Sequence, residues 1–269
     1  MNINIESLII ELGRGCNMSC ADCLRGEKET GKLYPGLIPK IFDGISEVDS
    51  IVYSGGEPAL YSDVALSASG YAKRKDDLII NGCYVATNGF IKSPDLVESV
   101  RILEEKHLKD ALHSKYVAAP IHPDEKAANA GRCMFCFDED YPFAIALSLD
   151  EYHDPIPLEN ALFWKRCGYF VKDKIHTKPW EPKGMGRGKA LKNSFPVSPN
   201  PDKFYFSYDE ASDTLSVETV YVSYDGYVYA DCDLSYEICD EFAYDSNFIG
   251  KRGLGETLRS LYEEEENDD

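Results

Sequence analysis

The sequence is poor in positive charge: 28 lysines and arginines stand against 47 aspartates and glutamates, for a formal net charge of −19. A protein that neutralises nucleic-acid phosphates needs a basic surface, so this balance argues against a nucleic-acid partner. The chain also lacks an apolar run of about 18 residues, the length that a membrane-spanning helix needs. Its first residues lack the basic region, apolar stretch and small-residue cleavage site of a secretory signal. We therefore expect a cytoplasmic protein with no nucleic-acid or membrane partner.

Cysteine, by contrast, is concentrated in one place. Three of the nine cysteines, Cys16, Cys20 and Cys23, follow one another as C-x3-C-x2-C. Clustered thiols in a reducing compartment more often bind metal or carry out redox chemistry than form disulfides. Zinc would need a fourth ligand or a water, and no histidine lies nearer than His107. Three thiolates could instead hold a 4Fe–4S cluster with one open iron, whereas ferredoxin-type sites supply four cysteines. The spacing favours the cluster and leaves zinc as the alternative.

The first two thirds of the chain alternate between strand-like and helix-like patterns, which predicts an α/β fold with a parallel sheet. Strands are predicted in SLIIEL, SIVYSGGEP, CYVATNGF, FAIALSLD and GYFVKDKIH. Helices are predicted in PGLIPKIFDGISEV, in DVALSASGYAKRK, in SPDLVESVRILEEKHL with a Ser93 cap and Pro94 first, and in LENALFWKRC. Ligands of such sheets bind at the carboxyl ends of the strands. The cysteine loop, GGEP (55–58) and TNG (87–89) all fall at those ends.

The pattern changes after a segment rich in proline and glycine at 177–202. The next segment reads as antiparallel strands joined by turns, and LGETLRSLYEEE reads as a closing helix. We therefore predict a first domain over 1–195, a small C-terminal α+β module over 196–262 and a solvated acidic tail over 263–269.

The pair of motifs at the first two strand ends resembles the radical S-adenosylmethionine (radical SAM) enzymes. CNMSCADC (16–23) follows the first strand and SGGEP (54–58) follows the second, and the resemblance covers roughly residues 5–190. It implies a partial (β/α) TIM-type barrel, a 4Fe–4S cluster on Cys16, Cys20 and Cys23, and SAM bound at the open iron. It also implies an electron donor such as flavodoxin or ferredoxin. The expected reaction is reductive cleavage of SAM to a 5′-deoxyadenosyl radical, which abstracts hydrogen from a substrate.

The second motif has a chemical reason to lie beside such a cofactor. Gly55 and Gly56 allow the backbone to approach closely. Glu57 is expected to accept a hydrogen bond from the SAM ammonium group, and Pro58 stiffens the exit from the loop. The sequence departs from the family at Asp22, since the position before the third cysteine is commonly aromatic there.

Other candidate residues follow the later strands. Asn88 ends the third strand in the same layer and is expected to contact SAM, with a plain turn role for Asn and Gly as the alternative. Ser148 and Asp150 are expected to contact SAM because the family often uses polar groups at the end of the fourth strand. Tyr152 and His153 are candidates for facing the substrate. In the glycine-rich segment GMGRGKAL, Arg187 is expected to meet a carboxylate near the mouth of the barrel.

Two further cysteine pairs leave a second metal site open. Their members are Cys133, Cys136, Cys232 and Cys239. The stretches DGYVYADC and FIGKRGLGETL partly resemble the SPASM or twitch extensions that carry auxiliary clusters in some radical SAM enzymes. The upstream cysteine and the dense cysteine run of those extensions are missing. The four thiols are therefore either unliganded or ligands of an auxiliary metal.

The substrate is the least determined part of the prediction. The twitch-like extension favours a peptide or protein side chain. No fused N-terminal peptide-binding domain is expected, since the barrel starts near residue 5, so a recognition partner would be separate. The alternative is a radical SAM enzyme acting on a small metabolite or nucleotide. A rival of another class is a non-catalytic iron–sulfur electron carrier or a degenerate scaffold, which would have no use for GGEP.

Overall fold

The fold is built on one mixed sheet with helices packed against it. A computed structural model describes residues 1–113, 142–148, 152–170 and 183–268. The strands are β1 (Asn2–Glu11), β2 (Glu47–Ser54), β3 (Ile79–Ile80), β4 (Cys83–Thr87), β5 (Phe143–Leu147), β6 (Phe206–Asp209), β7 (Thr214–Val222) and β8 (Val228–Tyr229). The helices are α1 (Ile38–Ile41), α2 (Ser62–Arg74), α3 (Pro94–His113), α4 (Leu158–Lys165), α5 (Tyr236–Glu241), α6 (Ile249–Arg252) and α7 (Leu254–Asp268).

The strand order is β5-β4-β2-β1-β7-β6, and β1, β2, β4 and β5 run parallel to one another. Among the described residues β5 and β6 lie at opposite ends of this path, so the sheet is open. Phe170 adds a parallel bridge to Ile145, and the part of the predicted fifth strand after Phe170 lies outside the described residues. An α/β fold with a parallel sheet that does not close confirms the predicted fold class.

The predicted C-terminal module joins the same sheet. β7 runs parallel to β1, pairing Asn2 with Thr214 at one end and Ile10 with Val222 at the other. β6 and β8 pair antiparallel with β7, as the turn signals predicted. The boundary at 196 stays a prediction. The acidic run continues α7 as far as Asp268, with exposed side chains over 263–267.

Pairing register aligns the side chains into rows across the sheet. On the helix-covered face one row comprises Val222, Ile10, Tyr53, Val85 and Ile145. These residues pack with buried side chains of α1, α2, α3 and α7. On the other face a smaller apolar cluster joins the sheet to the segment around α5; its buried members are Ile9, Val52, Tyr221, Tyr229, Leu234 and Cys239. Both faces of the sheet are covered, so the candidate site lies at the strand ends and not on a face.

Helix prediction succeeded for α3 and failed for α1. The Ser93 hydroxyl accepts the Leu96 N–H at 3.2 Å and Pro94 is the first helical residue, as predicted. The helix predicted through Val48 instead ends at Ile41. It stops because Gly44 turns the chain at φ +71°, where its backbone packs against Gly255 of α7. A close backbone contact between distant residues thus ended a helix that the apolar spacing favoured.

Candidate functional site

The cysteine loop connects β1 to α1 and is closed at its base. Leu33 N–H donates to Leu12 O at 3.0 Å, and Leu12 N–H donates to Ser54 O at 2.9 Å. Cys16, Cys20 and Cys23 are all free and partly buried. Burial raises the pKa of the Cys16 thiol, and the nearby Glu57, Cys20 and Cys23 raise it further. Cys20 and Cys23 therefore lie close enough to Cys16 to influence the ionisation of its thiol.

The GGEP backbone lies directly against the cysteine loop. Gly56 N–H donates to Gly13 O and Glu57 N–H donates to Gly15 O, both at 2.9 Å. Gly55 adopts φ +141°, and a Cβ there would overlap the Gly13 carbonyl oxygen. A Cβ on Gly56 would lie 2.8 Å from Arg14 O and even closer to the Gly15 carbonyl. The two glycines are thus required by contact with the protein's own backbone.

Glu57 lies in the interior with a side chain that is 2% exposed. Its carboxylate accepts the Ala59 N–H at 2.9 Å, the Thr87 hydroxyl at 2.5 Å and the Asn88 N–H at 2.8 Å. Burial nevertheless raises the pKa of Glu57 above its ordinary value, against these donors and the nearby His153. The side chain therefore joins the ends of β2 and β4, a role that the sequence did not indicate. Its contact with a SAM ammonium group stays a prediction.

Asn88 completes this junction on the side of the cysteines. Its amide nitrogen donates to the Asn17 side-chain oxygen at 2.8 Å and lies 3.9 Å from Cys16 Sγ. Pro58 starts a short 3₁₀ turn and is buried. The structure thus brings together the cysteine loop, GGEP and TNG, which lie far apart in the sequence but at one sheet edge.

The residues after β5 reach the same edge. Ser148 N–H donates to Thr87 O at 2.9 Å, whereas Asp150 lies outside the described residues. A ring nitrogen of His153, Cys20 Sγ and an Asp22 carboxylate oxygen all lie within 4.8 Å of one another. His153 therefore lies beside the cysteine loop, where sequence analysis only suggested a substrate-facing role.

Tyr152, its neighbour, accepts a hydrogen bond from the Asn193 side chain at 3.0 Å. This contact ties the loop after β5 to the segment that follows the glycine-rich stretch. Whether Tyr152 faces a substrate stays a prediction.

Two residues that the sequence analysis did not select support the start of the cysteine loop. The Tyr61 hydroxyl accepts the Gly15 N–H at 2.7 Å. Arg14 is 2% exposed and donates to Glu29 at 2.7 Å and to Asp240 at 2.9 Å. No spacing rule could have found Asp240, because it lies 226 positions from Arg14. Tyr61 closes the 3₁₀ turn that Pro58 begins, and only that proximity hinted at its role.

The glycine-rich segment lies against the cysteine loop. Arg187 N–H donates to Cys23 O at 2.9 Å. Within the described part of the chain, Arg187 Nε is buried without a hydrogen-bond partner, and no carboxylate pairs with the guanidinium. The predicted carboxylate contact of Arg187 is therefore not seen among these residues.

Of the two further cysteine pairs, the structure describes only Cys232 and Cys239. Cys133 and Cys136 lie outside the described residues. Cys239 is fully buried in the apolar cluster, and burial raises its pKa to about 12. Cys232 has Asp231 and Asp233 within 4.8 Å, measured between possible ligand atoms. Cys239 thus has the environment of an apolar core thiol, and an auxiliary metal stays a prediction.

The donor set fits the cluster that the sequence predicts. Three free thiols lie on one loop, and burial together with the charges of Glu57, Cys20 and Cys23 raises the pKa of Cys16, an effect that bound cations would oppose. The groups available to SAM at the same edge are the backbone of Gly55 and Gly56 and the polar groups of Asn88 and Ser148. Among the described residues no helix is long and apolar enough to cross a membrane.

No family model matches the chain, and no curated protein matches it in sequence. Among solved structures, BtrN in complex with AdoMet and 2-DOIA is similar, with 14% identity, a TM-score of 0.49 and 96% of this chain on 83% of that one. Native anSMEcpe with bound AdoMet and Cp18Cys peptide has 12% identity and a TM-score of 0.47, and the match covers 97% of this chain and 80% of that one. Streptococcus suis SuiB bound to precursor peptide SuiA has 14% identity and a TM-score of 0.40, and the match covers 93% of this chain and 64% of that one. Because these TM-scores lie below 0.5, the function proposed below rests on this chain's own residues.

Proposed function

We propose that the protein is a radical SAM enzyme that holds a 4Fe–4S cluster on Cys16, Cys20 and Cys23. One observation carries the proposal: the GGEP backbone is hydrogen-bonded to the cysteine loop through Gly13 and Gly15. Three thiols on one loop would alone suit any metal protein. A glycine motif hydrogen-bonded to the backbone of that loop, with the Asn88 side chain 3.9 Å from Cys16 Sγ, supplies polar groups beside the thiols.

The chain's own residues have defined tasks in this proposal. Three thiolates hold three irons and leave one iron without a protein ligand. The backbone at Gly55–Gly56 and the polar groups of Asn88 and Ser148 bind and orient SAM. When bound, cluster and SAM supply reductive cleavage of a carbon–sulfur bond and a 5′-deoxyadenosyl radical that abstracts hydrogen. Glu57 holds the ends of β2 and β4 in fixed relation and so keeps the SAM-binding groups in place.

The partners follow from the chemistry. A reduced cluster needs an electron donor such as flavodoxin or ferredoxin. A peptide or protein side chain stays the predicted substrate, on the partial resemblance of the C-terminal segment to twitch extensions, with a small metabolite or nucleotide as the alternative. Hydrogen abstraction itself is tested by transfer of deuterium from a deuterated substrate into 5′-deoxyadenosine.

The decisive experiment separates this enzyme from an electron carrier. The protein is reconstituted anaerobically with iron and sulfide, reduced with dithionite and incubated with SAM, and 5′-deoxyadenosine and methionine are quantified. We expect both products even without substrate, and none from the Cys16→Ala, Cys20→Ala, Cys23→Ala triple variant. A wild-type protein that holds a cluster, makes neither product and shows no spectral response to SAM would be a carrier or scaffold.

A further inference from the structure

The second half of the cysteine loop has no helix or strand of its own and is held by residues from far along the chain. Cys23 O accepts the Arg187 N–H at 2.9 Å. Arg25 O accepts the Tyr236 N–H at 3.0 Å, and the Arg25 guanidinium donates back to Leu234 O at 2.7 Å. These contacts fix the backbone at the third cysteine and two residues after it.

The first half of the loop is held by the same C-terminal segment. Arg14 precedes the first cysteine by two positions and donates to Asp240 of α5 at 2.9 Å. The Arg14 guanidinium also lies over the Tyr236 ring, 4.5 Å from its centroid. One short segment thus contacts the loop before Cys16 and after Cys23.

Gly186 shows how tightly the glycine-rich segment fits. It adopts φ +52°, and a Cβ there would lie 2.5 Å from Cys23 O and 2.6 Å from Gly26 N. It would also overlap the Leu24 carbonyl oxygen. These are backbone atoms of the cysteine loop, which cannot move aside as a flexible side chain can. Any larger residue at 186 must therefore displace the loop itself.

The two holding segments are joined to each other. Lys183 forms an ion pair with Asp233, and both side chains are largely buried. Lys189 pairs with Glu237 at 3.2 Å, but that pair is exposed and contributes little. The two segments therefore contact the loop as one connected unit.

We propose that residues 183–189 and 233–240, here called the C-terminal clamp, position the cysteine loop for metal binding. The inference rests on the proposed function and extends it: the C-terminal segment serves the first cluster directly. A loop without secondary structure cannot keep three thiols at cluster spacing by itself, because each free backbone torsion spreads the ligand positions. Residues that support metal ligands commonly change metal affinity when substituted.

The test compares two glycines with positive φ. Gly186→Ala strains the backbone and displaces the cysteine loop. Gly168→Ala strains the backbone similarly, at φ +91°, but a Cβ there meets nothing within 4 Å. Both variants are reconstituted anaerobically with iron and sulfide, and the rate of iron loss to a chelator is measured alongside the EPR signal of the dithionite-reduced cluster and urea unfolding. We expect about 10-fold faster iron loss from Gly186→Ala and the wild-type rate from Gly168→Ala.

A second set of variants avoids backbone strain. Asp233→Lys opposes Lys183 and should speed iron loss, and the double variant Lys183→Asp, Asp233→Lys should restore the wild-type rate. The clamp proposal is overturned if wild-type protein holds iron and Gly186→Ala or Asp233→Lys loses it no faster. It is equally overturned if Gly168→Ala loses iron as fast as Gly186→Ala, or if the double variant fails to recover. A wild-type protein that binds no iron at all would instead overturn the proposed function.

Discussion

The buried Glu57 carboxylate accepts the Asn88 backbone N–H at 2.8 Å, so one side chain joins the loops that follow β2 and β4. The same carboxylate accepts the Thr87 hydroxyl, which comes from the end of β4. Two loops that the proposed function assigns to SAM are thereby held by an acid that is itself withdrawn from solvent. The relationship predicts a structural effect of Glu57 that can be measured without any cofactor.

Glu57→Ala removes the acceptor of three buried donors. We expect the free energy of unfolding to fall by several kcal/mol, at about 1–3 kcal/mol for each buried donor left unpaired. Urea denaturation of the iron-free protein measures it. Thr87→Val is the matched control, because it removes one of the three hydrogen bonds to Glu57, together with the longer one from the Gly89 N–H, and should cost less. Wild-type stability in Glu57→Ala would contradict the role assigned to this carboxylate.

The three loop cysteines should be individually indispensable for iron. Each of Cys16→Ala, Cys20→Ala and Cys23→Ala removes one of three thiolates, so the cluster should lose its signal and most of its iron. Cys167→Ala serves as the control, since Cys167 is also free and partly buried but lies outside the loop. Iron and sulfide analysis per chain, with EPR of the reduced protein, gives the result. A loop variant that keeps the full iron content would exclude that cysteine as a ligand.

Losing both Cys133 and Cys136 tests the second metal separately. If the double Ala variant keeps the iron content of the wild type, Cys133 and Cys136 hold no iron. A drop in iron with the first cluster's signal intact would establish an auxiliary site.

Glu11 makes stability depend on pH in a direction set by burial. Desolvation raises its pKa above the ordinary 4.5, despite Arg14 and Arg25 nearby. The folded state therefore binds the proton more tightly than the unfolded state. This contribution is complete below the unfolded pKa and is lost as pH rises through the folded pKa. Glu11→Gln removes that loss, so the unfolding free energy of the variant should rise relative to that of the wild type as the pH increases above about 4.5. Urea denaturation at a series of pH values measures both proteins. If their unfolding free energies changed in parallel with pH, the raised pKa of Glu11 would be wrong.

The buried thiol of Cys239 should resist alkylation. Its pKa is raised to about 12 and its side chain is fully buried, so almost no reactive thiolate exists at pH 8. In iron-free native protein, iodoacetamide should label Cys20 and Cys23 well before Cys239. Peptide mass spectrometry measures the order, and a urea-denatured sample shows that every site can react. Labelling of Cys239 as fast as Cys20 would contradict its placement in the core.

Local patterns predicted most of the parallel sheet and brought the right motifs to one edge. The cysteine loop, GGEP and TNG each follow a buried strand, and parallel strands bring their carboxyl ends together whatever the loops contain. Parallel strands predict that GGEP lies near the cysteine loop, but they do not predict that the Gly56 N–H donates to Gly13 O. Register and side-chain direction depend on the packed structure.

Contacts between distant residues set the limits of prediction. The pairing of β7 with β1 carries no local signal, because a parallel partner is defined only by the whole fold. For the same reason the sequence could not show that Asp240 supports Arg14, or that Gly186 lies against Cys23. Glu57 was selected for the right motif, yet its donors come from residues whose positions follow from tertiary structure.

The place of β1 between β2 and β7 bears on the order in which the protein is made. β1 is synthesised before its partner on one side, Thr214–Val222, and before the clamp, which extends to residue 240. During synthesis the cysteine loop therefore lacks its contacts with the clamp until most of the chain has been translated. Iron delivered earlier would meet thiols that nothing yet holds in place. The proposed clamp therefore predicts that cluster insertion follows translation, and that a chain cut short before β7 offers the same three cysteines without a lasting metal site.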